Sequence, residues 1–122
     1  MNNKELFEQR KRVMKKYHCP GGQNYIKRAK NAVFISSANT LQHEMAKLET
    51  GWLLKKEGMD FITECVSNKD NRRVDLVILD TGDEVEFETT KARAARFKDM
   101  EVILVKLWEK KPVKNYLKDV LG

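Results

Sequence analysis

The chain has 122 residues, 24 of them Lys or Arg against 18 Asp or Glu, a net charge of +6, with 41% hydrophobic residues. That length builds one domain with a real core and is short for two. No apolar run approaches the ~20 residues that cross a bilayer. Nothing after Met1-Asn2-Asn3-Lys4-Glu5 resembles a signal peptide, and Cys19 and Cys65 are too few for a disulfide framework. The expectation is a reduced, cytoplasmic protein without a membrane partner.

The positive charge is concentrated at one end. Residues 1–30 hold nine Lys or Arg and only two acids, Glu5 and Glu8. Such a surface suits a polyphosphate partner, although basic helix faces also occur simply because they are solvated. Residues 3–17 read as a helix, with Leu6, Val13, Met14 and Tyr17 at helical spacing. His18-Cys19-Pro20-Gly21-Gly22 ends it, residues 23–30 suit a second short basic helix, and 32–35 are a short apolar stretch of undecided type. Residues 1–36 are therefore expected to form a basic helical extension.

The clearest helix covers about 41–57. Asn39 or Thr40 can cap it, Gly58 stops it, and Leu41, Met45, Leu48 and Trp52 form the expected inward stripe. Glu44 lies beside that stripe, as a site carboxylate or as a boundary residue paired with Lys47 or Lys55. Residues 59–66 read as a strand and 67–71 as a polar loop. A hairpin follows over 72–89, and Thr89 or Thr90 then caps a short helix to about 98. Residues 101–107 read as a buried strand, parallel to the strand before the crossover helix. Pro112 opens a last amphipathic helix with Val113, Tyr116, Leu117, Val120 and Leu121 inward. The order from residue 40 is α-β-β-β-α-β.

The hairpin carries the chemistry. Val74, Leu76 and Ile78 alternate with Asp75, Val77 and Leu79; Val85 and Phe87 alternate with Glu84, Glu86 and Glu88; Thr81-Gly82 suits the turn. Pairing Asp80 with Asp83, or Leu79 with Glu84 across a four-residue loop, sets Asp75 opposite Glu88 and diagonal to Glu86. Opposed carboxylates repel, and a hard cation such as Mg²⁺ would relieve that. Asp75 also interrupts an apolar run, so it needs a partner, with Arg72 or Arg73 the alternative to a metal. His18, Cys19, His43 and Cys65 match no common zinc spacing.

That order of elements, with Glu44 on the helix, Asp75 opening the second strand and Glu86-Phe87-Glu88 on the third, resembles the PD-(D/E)xK nuclease superfamily. The likeness covers about residues 40–107. It is nearest to the small archaeal Holliday-junction-resolvase-like nucleases and to virus- or plasmid-encoded nucleases. The resemblance implies an α/β fold with a restriction-endonuclease-like αβββαβ core. A mixed central sheet would be flanked by helices, with the basic helices at one end and the 112–121 helix at the other, all in one domain over 1–122. The usual Lys of the motif is Glu88 here; another alignment makes Glu88 the motif acid and lets Lys91 supply the ammonium.

The activity the resemblance implies is Mg²⁺- or Mn²⁺-dependent endonucleolytic hydrolysis of DNA. Asp75, Glu86 and the Phe87 carbonyl would hold the metal, with Glu44 bound through water or to a second ion. Glu88 would orient or deprotonate water, and Lys91 would stabilise phosphate charge. Arg10, Lys11, Arg12, Lys15, Lys16, Lys27, Arg28, Lys30, Arg72 and Arg73 would hold the DNA backbone. A homodimer is compatible with this reading. The alternative is a non-catalytic nucleic-acid-binding protein on the same fold.

Overall fold

A computed structural model describes residues 1–20 and 30–122. The chain is α/β. Helix α1 (Asn3–Met14) and the two-residue strand β1 (Tyr17–His18) precede helix α2 (Leu41–Lys56). Strands β2 (Phe61–Ser67), β3 (Arg73–Ile78) and β4 (Glu84–Glu88) follow, then helix α3 (Lys91–Ala94), strand β5 (Ile103–Lys106) and helix α4 (Lys118–Leu121). They form one open five-stranded sheet in the order β1-β2-β3-β4-β5. Every pair is antiparallel except β4–β5, which is parallel across the α3 crossover as expected.

The basic amino-terminal helix is shorter than its periodicity suggests. It ends at Met14, and Tyr17 leaves the helix to pair as a strand with Ser67. The second basic helix expected over 23–30, with Lys27 and Arg28, lies outside the described residues, apart from Lys30 in a turn. Residues 32–35 take no regular structure, and Phe34 and Ile35 are exposed. The expected carboxy-terminal helix divides into a 3₁₀ turn at Val113–Tyr116 and the single turn of α4. Val113 and Leu117 still reach the core.

Two cores sandwich the sheet. Ala46, Leu54, Phe61, Leu76, Ile78, Val85, Phe87 and Val105 pack beneath α2 and the carboxy-terminal turns. Val13, Ile62, Cys65, Val74, Val77 and Leu79 pack beneath α1, with Met14 and Tyr17 alongside. Strict alternation would send Ile62 and Cys65 to opposite faces, and likewise Val74 and Val77. Each pair instead shares the α1 side. The slip falls where β2 and β3 face each other at Glu64 and Asp75, between the paired residues Thr63–Leu76 and Cys65–Val74. Glu64 takes a left-handed backbone there (φ 49°), a conformation that costs a non-glycine residue about 1 kcal/mol or more. The sheet is thus irregular at the acidic positions.

Helix α2 is turned relative to the expectation. Leu41, Met45, Leu48 and Trp52 face outward, and the buried face is His43, Glu44, Ala46, Lys47, Thr50, Gly51 and Leu54. Thr40 is the cap, its hydroxyl accepting from the His43 N–H at 3.1 Å. The reason is close approach. A Cβ on Gly51 would lie 2.6 Å from the Phe61 ring, so the helix sits on β2 through its smallest residues. Its larger apolar side chains would hold it off.

Candidate functional site

Three elements place carboxylates in one region. The β3–β4 hairpin differs from the expected register: Leu76 pairs with Val85 and Val77 with Glu84. Continuing that ladder sets Asp75 opposite Glu86, not Glu88. The shifted register has a tertiary cause. Leu79 N–H donates to the Asp60 carbonyl at 2.8 Å, and Asp80 accepts from Asp60 N–H at 2.8 Å and from Arg10 at 3.0 and 2.9 Å. Leu79 and Asp80 are thereby held to the start of β2, and the turn begins one residue earlier, with Ile78 N–H bonded to the Asp83 carbonyl.

Beyond Leu76–Val85 the regular ladder stops, and side chains take over the backbone donors. Phe87 N–H donates to Asp75 Oδ2 at 2.9 Å, and Asp75 N–H donates to Glu86 Oε1 at 3.2 Å. The two acids are therefore fixed in the opening between β3 and β4. Burial, then the neighbouring Asp75 charge, push the Glu86 carboxyl up to about 8, and the Arg72 guanidinium offsets only part of this. Glu86 is buried and Asp75 half-buried.

Helix α2 closes the region from above. His43 faces Glu44 Oε2 at 2.7 Å through Nδ1 and Asp75 Oδ2 at 3.1 Å through Nε2. An imidazolium donates to both. Burial lowers the His43 pKa, but the two carboxylates outweigh it and the net shift is upward. Lys47, fully buried, donates to Glu44 Oε1 at 2.9 Å, Glu64 Oε2 at 3.1 Å and the Phe34 carbonyl at 2.8 Å. Burial raises the Glu44 pKa, and the Ser36 N–H, Lys47 and His43 together hold it below its ordinary value.

Of the expected site carboxylates, Asp75, Glu86 and Glu88 line adjoining clefts and Glu44 lies behind them against Ser36 and His43, but each already has a basic partner. Arg72 pairs with Glu84 and Glu86 and leaves Asp75 to His43. Arg96 and Arg93 pair with Glu88 at 2.8 and 3.5 Å. Lys91, expected to supply an ammonium, is exposed at the start of α3 and does not line the clefts, which Arg93 and Arg96 line in its place. The smaller cleft, about 90 Å³, holds His43, Asp75, Phe87 and Glu88; the larger, about 400 Å³, holds Glu64, Arg72, Arg73, Asp75 and Glu86.

The donor chemistry, carboxylate oxygens, is of the kind a hard cation takes. Among the described residues no group of three His, Cys, Asp or Glu side chains is arranged to hold a metal ion. His43 and Arg72 occupy the carboxylate oxygens that a cation would take. A cation at Asp75 Oδ2 or Glu86 Oε2 would compete with them.

The sequence reading missed His43, Lys47 as a buried residue of the site, and Glu64. Signals existed for two of them: Lys47 stands three residues after Glu44 and four after His43 on the same helix, and the Glu44–Lys47 pair was one of the expected alternatives. Lys55 instead pairs with Asp60 at 2.9 Å. Glu64 gave no signal, since its role rests on a local backbone twist. The basic arm is also divided. Lys11, Arg12, Lys15 and Lys16 are exposed. Arg10 pairs with Asp80 and Asp60 and donates to the Gly58 carbonyl, and the half-exposed Lys30 pairs with Asp60. His18 and Cys65 lie apart from His43: His18 faces Asn68, and Cys65 lies in the α1 core. No family model, no curated protein and no solved structure matches this chain.

Proposed function

We propose that this chain is a metal-dependent nuclease that hydrolyses DNA phosphodiester bonds, on a restriction-endonuclease-like core. The observation that carries this reading is the opening between β3 and β4. Asp75 and Glu86 bind each other's strand there through Asp75 N–H and Phe87 N–H, and burial, then the neighbouring Asp75 charge, push Glu86 up to about 8 despite Arg72. Asp75, Glu86 and the Phe87 carbonyl would hold Mg²⁺ or Mn²⁺, with Glu44 behind them. The chemistry such a cation would supply is polarisation of the phosphate and easier deprotonation of the attacking water. Glu88 would orient that water. Arg93 and Arg96 at the cleft mouth, with the exposed Lys11, Arg12, Lys15 and Lys16, would hold phosphates without reading bases.

A second reading, a non-catalytic nucleic-acid-binding protein, draws on a specific observation: every one of these acids has a basic partner, so the site is self-neutralised without metal. Cleavage of duplex, single-stranded and branched DNA with Mg²⁺, Mn²⁺ or EDTA separates the two. The nuclease reading expects metal-dependent cutting that Asp75→Ala and Glu86→Ala each abolish while DNA binding persists. Cutting retained in Asp75→Ala would overturn it. Binding without cutting, with a salt slope lowered on neutralising Lys11, Arg12, Lys15 and Lys16, would establish the second reading.

A further inference from the structure

The outward face of α2 is unusual for a solvated surface. Leu41, Met45, Leu48 and Trp52 are 75%, 60%, 58% and 59% exposed. Together they present on the order of 500 Å² of apolar surface, near the upper end for the largest patch of a monomer. A standard interface covers roughly 800 Å² per partner, so this stripe supplies most of one. Its spacing of four, three and four residues is the seam pattern of helices that pair along their length.

That spacing reads the same in both directions. An antiparallel second helix related by a two-fold axis therefore stacks Leu41 on Trp52 of the second copy and Met45 on Leu48. Each layer joins two large apolar side chains. The charges are self-complementary as well. A groove of about 780 Å³ runs beside the stripe, with Glu49 on its helix side and Lys110 and Lys111 on the other. A contact that uses the same surface on both copies can pair Glu49 of each with the lysines of the other.

We infer that a second copy of this chain covers this face, with the two α2 helices antiparallel across a two-fold axis. The inference stands apart from the nuclease reading. The stripe faces away from His43 and Lys47, and none of its residues lines either acidic cleft, so the pair would leave both open.

Analytical ultracentrifugation of the full chain from about 1 to 100 µM tests it. The expected species has twice the 14.3 kDa chain mass. Met45→Glu and Trp52→Glu, both at exposed positions, should return it to the monomer with unchanged circular dichroism and the urea midpoint of wild type diluted below its dimer dissociation constant. In a Cys19→Ser background, a mixture of Met45→Cys and Leu48→Cys chains should form a disulfide dimer faster than either variant alone. A wild type that stays monomeric throughout the range overturns the inference, whether the stripe is bare or is covered by added DNA or another protein. A dimer that persists in both glutamate variants overturns it equally. Faster cross-linking of Met45→Cys alone would overturn the antiparallel arrangement.

Discussion

Replacing Lys47 with Met tests whether the buried cation holds α2 onto the sheet. The ammonium is fully buried and uses its three donors on Phe34, Glu44 and Glu64 at 2.8, 2.9 and 3.1 Å. Methionine keeps the length and most of the volume but strands the carboxylates. Removing one partner of a buried ion pair costs about 3–5 kcal/mol. The lower end applies here, because Glu44 keeps the Ser36 N–H and His43 as donors and the Glu64 side chain is 18% exposed. The expected loss is about 3 kcal/mol, which lowers Tm by roughly 10–15 °C in a chain of this size. Urea unfolding followed by circular dichroism should show a lower midpoint at an unchanged slope. Adding Glu44→Gln and Glu64→Gln should recover at least half of the loss, because no charge is then left unpaired. A single-variant loss below about 1 kcal/mol, or a triple variant no more stable than Lys47→Met, would refute the reasoning.

Two further outcomes follow from the same contacts. Gly51→Ala should destabilise the protein despite alanine's better helix propensity of about 1 kcal/mol. Its Cβ would lie 2.6 Å from the Phe61 ring in the core, and overpacking of this kind costs about 1–3 kcal/mol; a urea midpoint that rises would contradict this. The acid limb of stability should depend on Asp60. Burial raises its pKa, but Lys55, Asn31 and Arg10 outweigh that and hold it at about 2, below its value in the unfolded chain. Its contribution is therefore complete above about pH 4 and disappears as pH falls toward 2, by roughly 2 kcal/mol at most. Asp60→Asn should be less stable at pH 6, and the gap to wild type should close over that window. Parallel pH profiles would show that Asp60 is not responsible.

The local elements were legible in the sequence because their determinants are local. Alternation specified β3 and β4, the Thr40 cap and Gly58 bounded α2, and the crossover through α3 dictated that β4 and β5 run parallel. The acids that gather around the clefts were also legible, since strand parity keeps Glu86 and Glu88 on one side under any even shift of register.

Three things were decided only by tertiary structure. The register depends on Asp60 and Arg10 capturing Leu79 and Asp80, groups far from the hairpin in sequence. The orientation of α2 contradicts its hydropathy, because close packing of Gly51 on Phe61 and the need of Lys47 for buried carboxylates outweigh the burial of four large apolar residues. The partners of the acids, His43 for Asp75 and Arg72 for Glu86, follow from where α2 and β3 come to rest. Periodicity records which residues share a face of one element. Which face turns inward is settled by the fit between elements, and here small side chains and paired charges set that fit.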